Sequence, residues 1–198
     1  MPITAELELS PQSQPDTWKM RFEVHSFLMH NLEESTFTWN NCHPKSIHYH
    51  HDFKGFGKHQ FHDTTFSWNP PQVTNHSDED NKSFAIPADS VDDLTVLLQA
   101  ACVFSEGATD YYATSIYGDQ IRDNHFKLVR RETIKTPLGK LDTLVVEKER
   151  VHDNGRHTLF WIAPKLNYML VKAKHIENPV LFGEVIMRDY EGPHQPEK

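Results

Sequence analysis

The sequence lacks two features that would place it at a membrane or on nucleic acid. A membrane-spanning helix needs about 20 consecutive apolar residues, and no apolar run here approaches that length. Basic residues are not in excess: 20 Lys and Arg stand against 28 Asp and Glu, which gives a formal net charge of −8. Proteins that bind nucleic acid carry basic patches that neutralise phosphates. The composition therefore argues against a transmembrane protein and against nucleic acid as a partner, and no run of Lys or Arg indicates an anionic membrane surface.

Cysteine is also scarce, since the chain has only Cys42 and Cys102. In an oxidising compartment the two residues could close a loop of about 60 residues by a disulfide bond. Cys102 falls on the apolar face of a predicted helix, where a buried free thiol behaves as a small hydrophobic side chain. The sequence leaves both alternatives open.

The chain starts without the basic and apolar regions of a secretory signal peptide, because Met1 leads almost directly into a strand pattern. Two interpretations are consistent with this start. Either the protein is cytosolic, or the sequence is a mature or shortened form of an exported protein.

Catalytic motifs are missing too. No Gly-x-Ser-x-Gly nucleophile elbow is present, and Gly55-Phe56-Gly57-Lys58 has no helix after it, so a turn is expected rather than a phosphate-binding loop. Glycoside hydrolysis needs two carboxyl groups about 5–9 Å apart, and three acidic pairs could supply them: Glu33 with Glu34, Asp92 with Asp93, and Glu147 with Glu149. Adjacent residues such as Glu33 and Glu34 point to opposite faces of a strand, and Asp92 with Asp93 complements the dipole at a helix start. We therefore favour a protein without catalytic activity and keep an enzyme acting on a glycan as the alternative.

What the sequence does contain is alternation of apolar and polar residues, which is typical of strands with one buried face. Ile3 to Leu9 and Trp18 to Val24 show it, and Ile47, Tyr49, His51 and Phe53 share one face of another segment. In Lys58 to Trp68 the apolar residues change parity, which predicts a bulge. The pattern predicts a mainly β protein of about ten to twelve antiparallel strands. We expect one β-rich domain over residues 1–192, built as a strongly curved antiparallel sheet or an incomplete β-barrel, and a disordered tail over residues 193–198.

One segment has helical spacing of its apolar residues, from Ser90 to Phe104. Asp89 or Ser90 would cap it, and Asp92 and Asp93 would lie in its first turn. A single helix in a β protein commonly covers an open side of the sheet. The sequence predicts one covering α-helix at about residues 90–104.

Histidine is unusually frequent, with 14 residues. His48 and His50 lie on the same face of a predicted strand, about 6.5–7 Å apart by strand geometry. A third ligand from the next strand, His59 or His62 with Asp52 or Asp63, could complete a zinc or copper site. The candidate metal ligands are His48, His50 and His62. The alternative is a solvated strand face without a bound ion, and no cofactor is then expected.

Aromatic side chains form the second candidate site. If the barrel is incompletely filled, apolar side chains line a cavity under the helix, which is a common type of ligand site. The candidate ligand-binding residues are Trp39, Tyr49, Phe53, Trp68, Leu94, Leu98 and Trp161. An ordinary filled core is the alternative.

A series of short motifs runs from Glu33 to Gly192: Glu34-Ser35-Thr36-Phe37, Pro44 before the Tyr- and His-rich strand, Gly55-Phe56-Gly57-Lys58, Phe66-Ser67-Trp68, Asp92-Asp93-Leu94-Thr95, Thr136-Pro137-Leu138-Gly139 and Trp161-Ile162-Ala163-Pro164-Lys165-Leu166. In their order and spacing the chain resembles an exported bacterial family known as domain-of-unknown-function family 3108.

The resemblance implies a periplasmic or otherwise exported protein of the Gram-negative envelope. It implies a sheet similar to the half-barrel of periplasmic lipoprotein carriers, with a helix against its concave face. Members of the family usually begin with one more strand, so we expect a natural precursor with a signal sequence and an additional N-terminal strand. No catalytic residues come with the family. The expected function is therefore non-enzymatic binding of a hydrophobic or amphipathic molecule, or of an envelope protein, in the concave face of the sheet.

Overall fold

The computed structural model of the chain describes residues 4–150, 157–176 and 182–192. Within them the chain is built almost entirely of strands. The elements are β1 (Thr4–Pro11), β2 (Thr17–His25), β3 (Met29–Thr38), β4 (Lys45–Gly55), β5 (Lys58–Trp68), β6 (Pro71–Ser77), β7 (Asn81–Ala85), β8 (Val91–Asp92), α1 (Thr95–Ser105), β9 (Asp110–Tyr117), β10 (Gln120–Thr136), β11 (Gly139–Arg150), β12 (His157–Ala163), a 3₁₀ turn (Pro164–Leu166), β13 (Met169–Ile176) and β14 (Phe182–Ile186).

The strands form two seven-stranded sheets in which sequence neighbours lie side by side. The first sheet has the order β1 to β7, and all of its strand pairs are antiparallel. The second sheet has the order β14 to β8. Its pairs from β10 to β14 are antiparallel, whereas the two-residue strand β8 runs parallel to β9. Short turns between sequential strands explain this simple order, because antiparallel neighbours need no crossover connection.

The alternation in β4 positions its side chains as predicted. Tyr49 and His51 are buried, and His48 and His50 lie on the opposite face and are partly exposed. The predicted bulge in β5 is wrong, because β5 keeps continuous register with both β4 and β6. A register shift occurs instead in the β3–β4 pair, between Thr36 and Phe37. The change of parity in β5 reflects a partly exposed aromatic residue, Phe61, which packs beside His50 on the outer face.

The single α-helix is present, but it begins at Thr95, about one turn later than the sequence pattern indicated. The chain before it, Val91–Asp92, pairs with β9 instead. The carboxylate of Asp92, rather than Asp89 or Ser90, caps the helix start, since it accepts hydrogen bonds from the backbone N–H groups of Leu94 and Thr95 at 3.1 and 2.7 Å. Asp92 therefore lies before the helix and not inside its first turn.

The described residues divide into two compact units: residues 4–99 with 113–122, and residues 100–112 with the described part of 123–192. Each unit has its own apolar core. The core of the first unit contains Met20, Phe37, Tyr49, Phe66, Val73, Ile86, Leu94 and Ile116. The core of the second unit contains Leu141, Val145, Trp161, Ala163, Leu166 and Val171.

The predicted mainly β fold with antiparallel strand pairing and one helix is confirmed in the described residues. Its strands form two sheets, where the sequence predicted one strongly curved sheet or an incomplete barrel. Ile3 and the expected disordered tail over residues 193–198 lie outside the described residues. Within the described part of the chain, no helix has the length and apolar character that a membrane crossing requires.

Candidate functional site

Two neighbouring turns at one end of the first sheet present apolar side chains to solvent. Residues 26–28 connect β2 to β3, and Phe56 and Gly57 connect β4 to β5. Met29 pairs directly with Gly55 at the start of the β3–β4 ladder, so the two turns lie side by side. A Cβ atom on Gly55 would stand only 2.7 Å from the Cβ atom of Met29, which shows how closely they approach. We call Phe27, Leu28 and Phe56 the apolar tip.

The apolar tip is far more exposed than hydrophobic side chains of this size usually are. Phe27 is 81% exposed, Leu28 56% and Phe56 68%. The two residues of the β4–β5 turn both have positive φ, 52° at Phe56 and 73° at Gly57. Asn and Gly are the usual residues in such a turn, and a bulky side chain with positive φ is strained. Phe56 therefore costs stability through its backbone and gains little from burial.

A cluster of polar side chains lies at the base of the β2–β3 turn. His25 and His30 are cross-strand partners, and their rings stack with centroids 4.3 Å apart. Oxygen Oε1 of Glu23 lies 2.9 Å from Nε2 of His25 and 2.8 Å from Nε2 of His30. The other oxygen of Glu23 pairs with Arg21. The hydrogen bond from His30 lowers the pKa of the Glu23 carboxyl to about 2, against the opposing effect of desolvation.

The structure brings together two of the three predicted metal ligands. His48 and His50 both contact Asp63 of β5, through Nε2 at 2.8 Å and Nδ1 at 3.2 Å. They bind different oxygens of the carboxylate, so their nitrogens do not converge on one point. His62 lies on the other face of β5, where its ring stacks with that of His51 and meets the ring of Tyr117 edge to face. Because His62 precedes Asp63 in the strand, it cannot share the face of His48 and His50.

Most of the predicted ligand-binding residues lie in one packed core. Tyr49 and Leu94 belong to the core of the first unit, and Trp39, Trp68 and Leu98 pack against it while partly buried. Phe53 is half-buried in β4. Trp161 belongs to the core of the second unit. Ligand binding by these seven residues stays a prediction.

A hydrogen-bonded polar network extends along the buried face of the first sheet. His51 contacts Asn31 through Nε2 at 2.9 Å and the hydroxyl group of Tyr117 through Nδ1 at 3.1 Å. The hydroxyl group of Tyr49 donates to Glu33 at 2.8 Å. Burial lowers the pKa of His51 to about 4, with repulsion from His62 adding to the effect. Burial also raises the pKa of Tyr49, with the negative charge of Glu33 adding to it. Both groups are therefore neutral at physiological pH.

The carboxylates considered for glycan chemistry are held by internal partners. Asp92 is fully buried, Asp93 forms an ion pair with Arg122 at 2.9 Å, and Glu34 forms one with Lys19 at 2.8 Å. Glu147 lies 3.7 Å from the ring of His157, and Glu149 lies 3.5 Å from that of His125. Glu33 accepts a hydrogen bond from the Tyr49 hydroxyl group at 2.8 Å, so each of the carboxyl groups considered has a partner within the chain.

A surface groove of the second unit contains two further acids, Glu132 and Asp142. A hydrogen bond from Arg130 lowers the pKa of Glu132, and the indole N–H of Trp161 also donates to it. Asp142 accepts a hydrogen bond of 2.6 Å from the Thr133 hydroxyl group. A general acid needs a raised pKa, so the environment of Glu132 does not suit that role.

Sequence reasoning missed both the apolar tip and the Glu23, His25 and His30 cluster. A signal for the first was available in Phe27-Leu28 between two strand patterns and in a phenylalanine between two glycines. The second depends on the β2–β3 register, which places His30 opposite His25. Such a register is not visible in a single strand pattern, because it depends on the length of the connecting turn.

The fold is similar to that of a solved structure, and the sequence matches a known family. A crystal structure titled as a beta-barrel-like protein of domain of unknown function DUF1849 from Brucella abortus superposes with a TM-score of 0.56 at 8% sequence identity, covering 86% of this chain and 80% of that one. This similarity shows the fold alone. No curated protein matches the chain significantly. The sequence pattern of the family described as "Protein of unknown function (DUF3108)" matches residues 4–187, and the chain therefore belongs to that family.

Proposed function

We propose that this protein is an exported, non-enzymatic envelope protein that binds a phospholipid surface through its apolar tip. The observation that carries the proposal is the adjacency of two turns that expose Phe27, Leu28 and Phe56 together. Exposed apolar patches on soluble domains mark sites of protein or membrane interaction. Lipid binding by these turns is a proposal separate from the binding in the concave face of the sheet that the sequence predicts.

The free energy available at the apolar tip is large enough for reversible binding. Burial of one large apolar side chain contributes about 1.5–3 kcal/mol, so insertion of three would contribute roughly 4–9 kcal/mol before the costs of association. The strained backbone at Phe56 is present in the folded protein with or without a membrane. It therefore adds no cost to membrane binding. A strained, exposed phenylalanine is consistent with selection for binding, not for stability.

A lipid surface fits the apolar tip better than a protein groove does. Lys54 and Lys58 flank Phe56 in the sequence and are exposed, and a lysine near an anionic lipid surface adds about 1 kcal/mol of attraction. Lys54 also pairs with Asp52 at 2.8 Å, which offsets part of its charge. Because the whole chain carries a net charge of −8, this attraction is local and the apolar side chains must supply most of the binding. Side chains that project from turns need no complementary pocket in a fluid bilayer.

Export is supported by the state of the cysteines. Cys42 and Cys102 are both disulfide-bonded, and the sequence contains no other cysteine. Disulfides form and persist in oxidising compartments such as the bacterial periplasm. Protein isolated from its native cells under thiol-trapping conditions should show no free thiol until a reductant is added. Two trapped thiols per chain before reduction would argue for the cytosol.

Vesicle flotation tests the lipid interaction. The full chain should float with vesicles of phosphatidylglycerol and phosphatidylethanolamine, and less with vesicles of phosphatidylcholine alone. Replacing Phe27, Leu28 and Phe56 together by serine should reduce the bound fraction at least about tenfold, because most of the inserted apolar surface is lost. Ile121→Ser is the matched control, since Ile121 is 48% exposed and lies outside the apolar tip.

Two outcomes would overturn the proposal: equal flotation of the triple variant and the wild type, or no flotation of the wild type with any composition. Circular dichroism should show the same fold for each variant. Binding of a hydrophobic molecule in the sheet face stays a separate prediction. Mass spectrometry of lipid co-purified with the natural protein tests it without reference to vesicles.

A further inference from the structure

The hairpin below the apolar tip carries three side chains that suit a metal ion. Glu23 and His25 lie two positions apart in β2, so their side chains share one face of the sheet. His30 is the direct cross-strand partner of His25 at the start of β3. Since the strands are joined by a short turn, the pair is fixed in register. The two imidazoles and the carboxylate are therefore placed together by the backbone.

The ligand atoms already converge. Nε2 of His25 and Nε2 of His30 both point at the same oxygen of Glu23, at 2.9 and 2.8 Å, and the three ligand atoms lie within 4.8 Å of one another. Zinc bonds of about 2.0–2.2 Å at tetrahedral angles place ligand atoms roughly 3.3 Å apart. Each imidazole nitrogen thus needs to move only about half an ångström away from the Glu23 oxygen to reach the spacing of zinc ligands.

The donor set matches a definite class of ion. Two imidazole nitrogens and one carboxylate oxygen are ligands of zinc and of related divalent transition metals. Arg21 holds the second oxygen of Glu23, which orients the ligand as outer partners of metal sites do. Exposure rises from 13% at Glu23 to 33% at His30 and 59% at His25. Solvent therefore has access to one side of the cluster, where water can complete the coordination.

The other histidine groups lack this convergence. His48 and His50 approach different oxygens of Asp63. Among the residues that the structure describes, Glu23, His25 and His30 are the one group of three potential ligands whose donor atoms all lie this close together. His48 and His50 therefore serve as an internal control for zinc binding, because they are histidines beside a carboxylate on the same sheet without converging ligand atoms.

We propose that Glu23, His25 and His30 form a binding site for one divalent transition-metal ion of the zinc type, with water as the remaining ligand. The site does not depend on the proposed lipid binding. It joins β2 to β3 next to the apolar tip, so an ion there ties the ends of these two strands together.

Isothermal titration calorimetry of the full chain, made without a histidine tag, tests the site with zinc chloride. One ion should bind per chain. The His25→Ala and His30→Ala variants should each lose affinity at least about tenfold, and Glu23→Gln should lose affinity in the same direction. The double variant His48→Ala, His50→Ala should keep the wild-type affinity. Loss of binding in that control, or retained binding without His25 and His30, would overturn the assignment.

Nuclear magnetic resonance of the wild type gives a second measurement that needs no variant. Stoichiometric zinc should shift the imidazole signals of His25 and His30 and leave those of His48 and His50 in place. Cobalt should give visible absorption bands whose intensity reports a four-coordinate site. Signals that shift equally across the histidines would indicate non-specific surface binding and would contradict the proposal.

Discussion

The hydroxyl group of Ser46 in β4 and the carboxylate of Asp92 before α1 lie 2.5 Å apart. The same hydroxyl group accepts a hydrogen bond of 2.9 Å from the backbone N–H of Asp92. Ser35 and Thr95 also donate to this carboxylate, at 2.6 and 2.7 Å. Asp92 therefore fixes the start of the helix to the middle strands of the first sheet.

Replacing Asp92 by alanine should destabilise the protein by about 2–4 kcal/mol, since the change removes a helix cap and leaves several buried donors without an acceptor. The free energy of unfolding in urea, followed by circular dichroism, measures the effect. Asp89→Ala is the matched control because Asp89 is exposed, and it should change stability by less than about 0.5 kcal/mol. Equal losses in the two variants would show that Asp92 is not the cap.

The difference between these two aspartates shows what the sequence can and cannot predict. Helical spacing of apolar residues correctly indicated one helix ending near Phe104. Its start was predicted too early, because Ser90 and Asp92 are both good capping residues and only tertiary contacts choose between them. Ser35 and Ser46 lie more than forty residues away in the sequence. The hydrogen bonds that they donate to the Asp92 carboxylate form only when the sheet is folded.

The same limit applies to the histidines. Alternation in β4 correctly separated Tyr49 and His51 from His48 and His50, because parity within one strand is local information. Which residues of β5 face them depends on register. The sequence interpretation chose His62 as a third ligand, but continuous pairing places Asp63 beside His48 and His50 and puts His62 on the opposite face. A pattern within one strand cannot give that result.

Acid should weaken the fold through His51. Its Nε2 contacts Asn31 and its Nδ1 contacts the hydroxyl group of Tyr117, and a neutral imidazole that donates from one nitrogen and accepts at the other satisfies both. The pKa of His51 is lowered from 6.5 to about 4. The unfolded chain therefore binds the proton first, so this contribution to stability is full above about pH 6.5 and is lost as the pH falls toward 4.

The free energy of unfolding should fall by about 1–3 kcal/mol across that interval on account of this group. His51→Gln should flatten the dependence between pH 6.5 and 4, and urea unfolding at several pH values measures it. His76→Gln is the control, since His76 is exposed and contacts Asn81 at the sheet surface. A slope unchanged by the His51 substitution would refute this origin of the acid sensitivity.

Gly118 is required by the ring of His62. A Cβ atom at this position would lie 2.6 Å from both Cε1 and Nδ1 of the imidazole, and the backbone has φ of +58°. We expect Gly118→Ala to cost about 2–3 kcal/mol, of which the backbone contributes about 1 kcal/mol. Gly57→Ala should show the backbone contribution alone, because φ there is +73° and no heavy atom lies within 4 Å.

A double variant separates the two contributions. In a His62→Ala background, Gly118→Ala should cost only about 1 kcal/mol, since the ring that it would meet is gone. Thermal or urea unfolding of the four proteins gives the coupling free energy. A coupling near zero would mean that the strand ends move apart to accept the methyl group.

Phe56 provides a test in which stability and binding should change in opposite directions. Asparagine tolerates the left-handed backbone that Phe56 adopts at φ of 52°, so Phe56→Asn should raise the free energy of unfolding by roughly 0.5–1 kcal/mol. The same change should reduce flotation with anionic vesicles, because one of the three inserted side chains is lost. Phe56→Leu is the matched control: it keeps an apolar side chain and a strained backbone, so both measurements should stay close to wild type. If Phe56→Asn destabilised the protein, the phenylalanine would be explained by packing in the folded chain, and its exposure would no longer indicate a membrane contact.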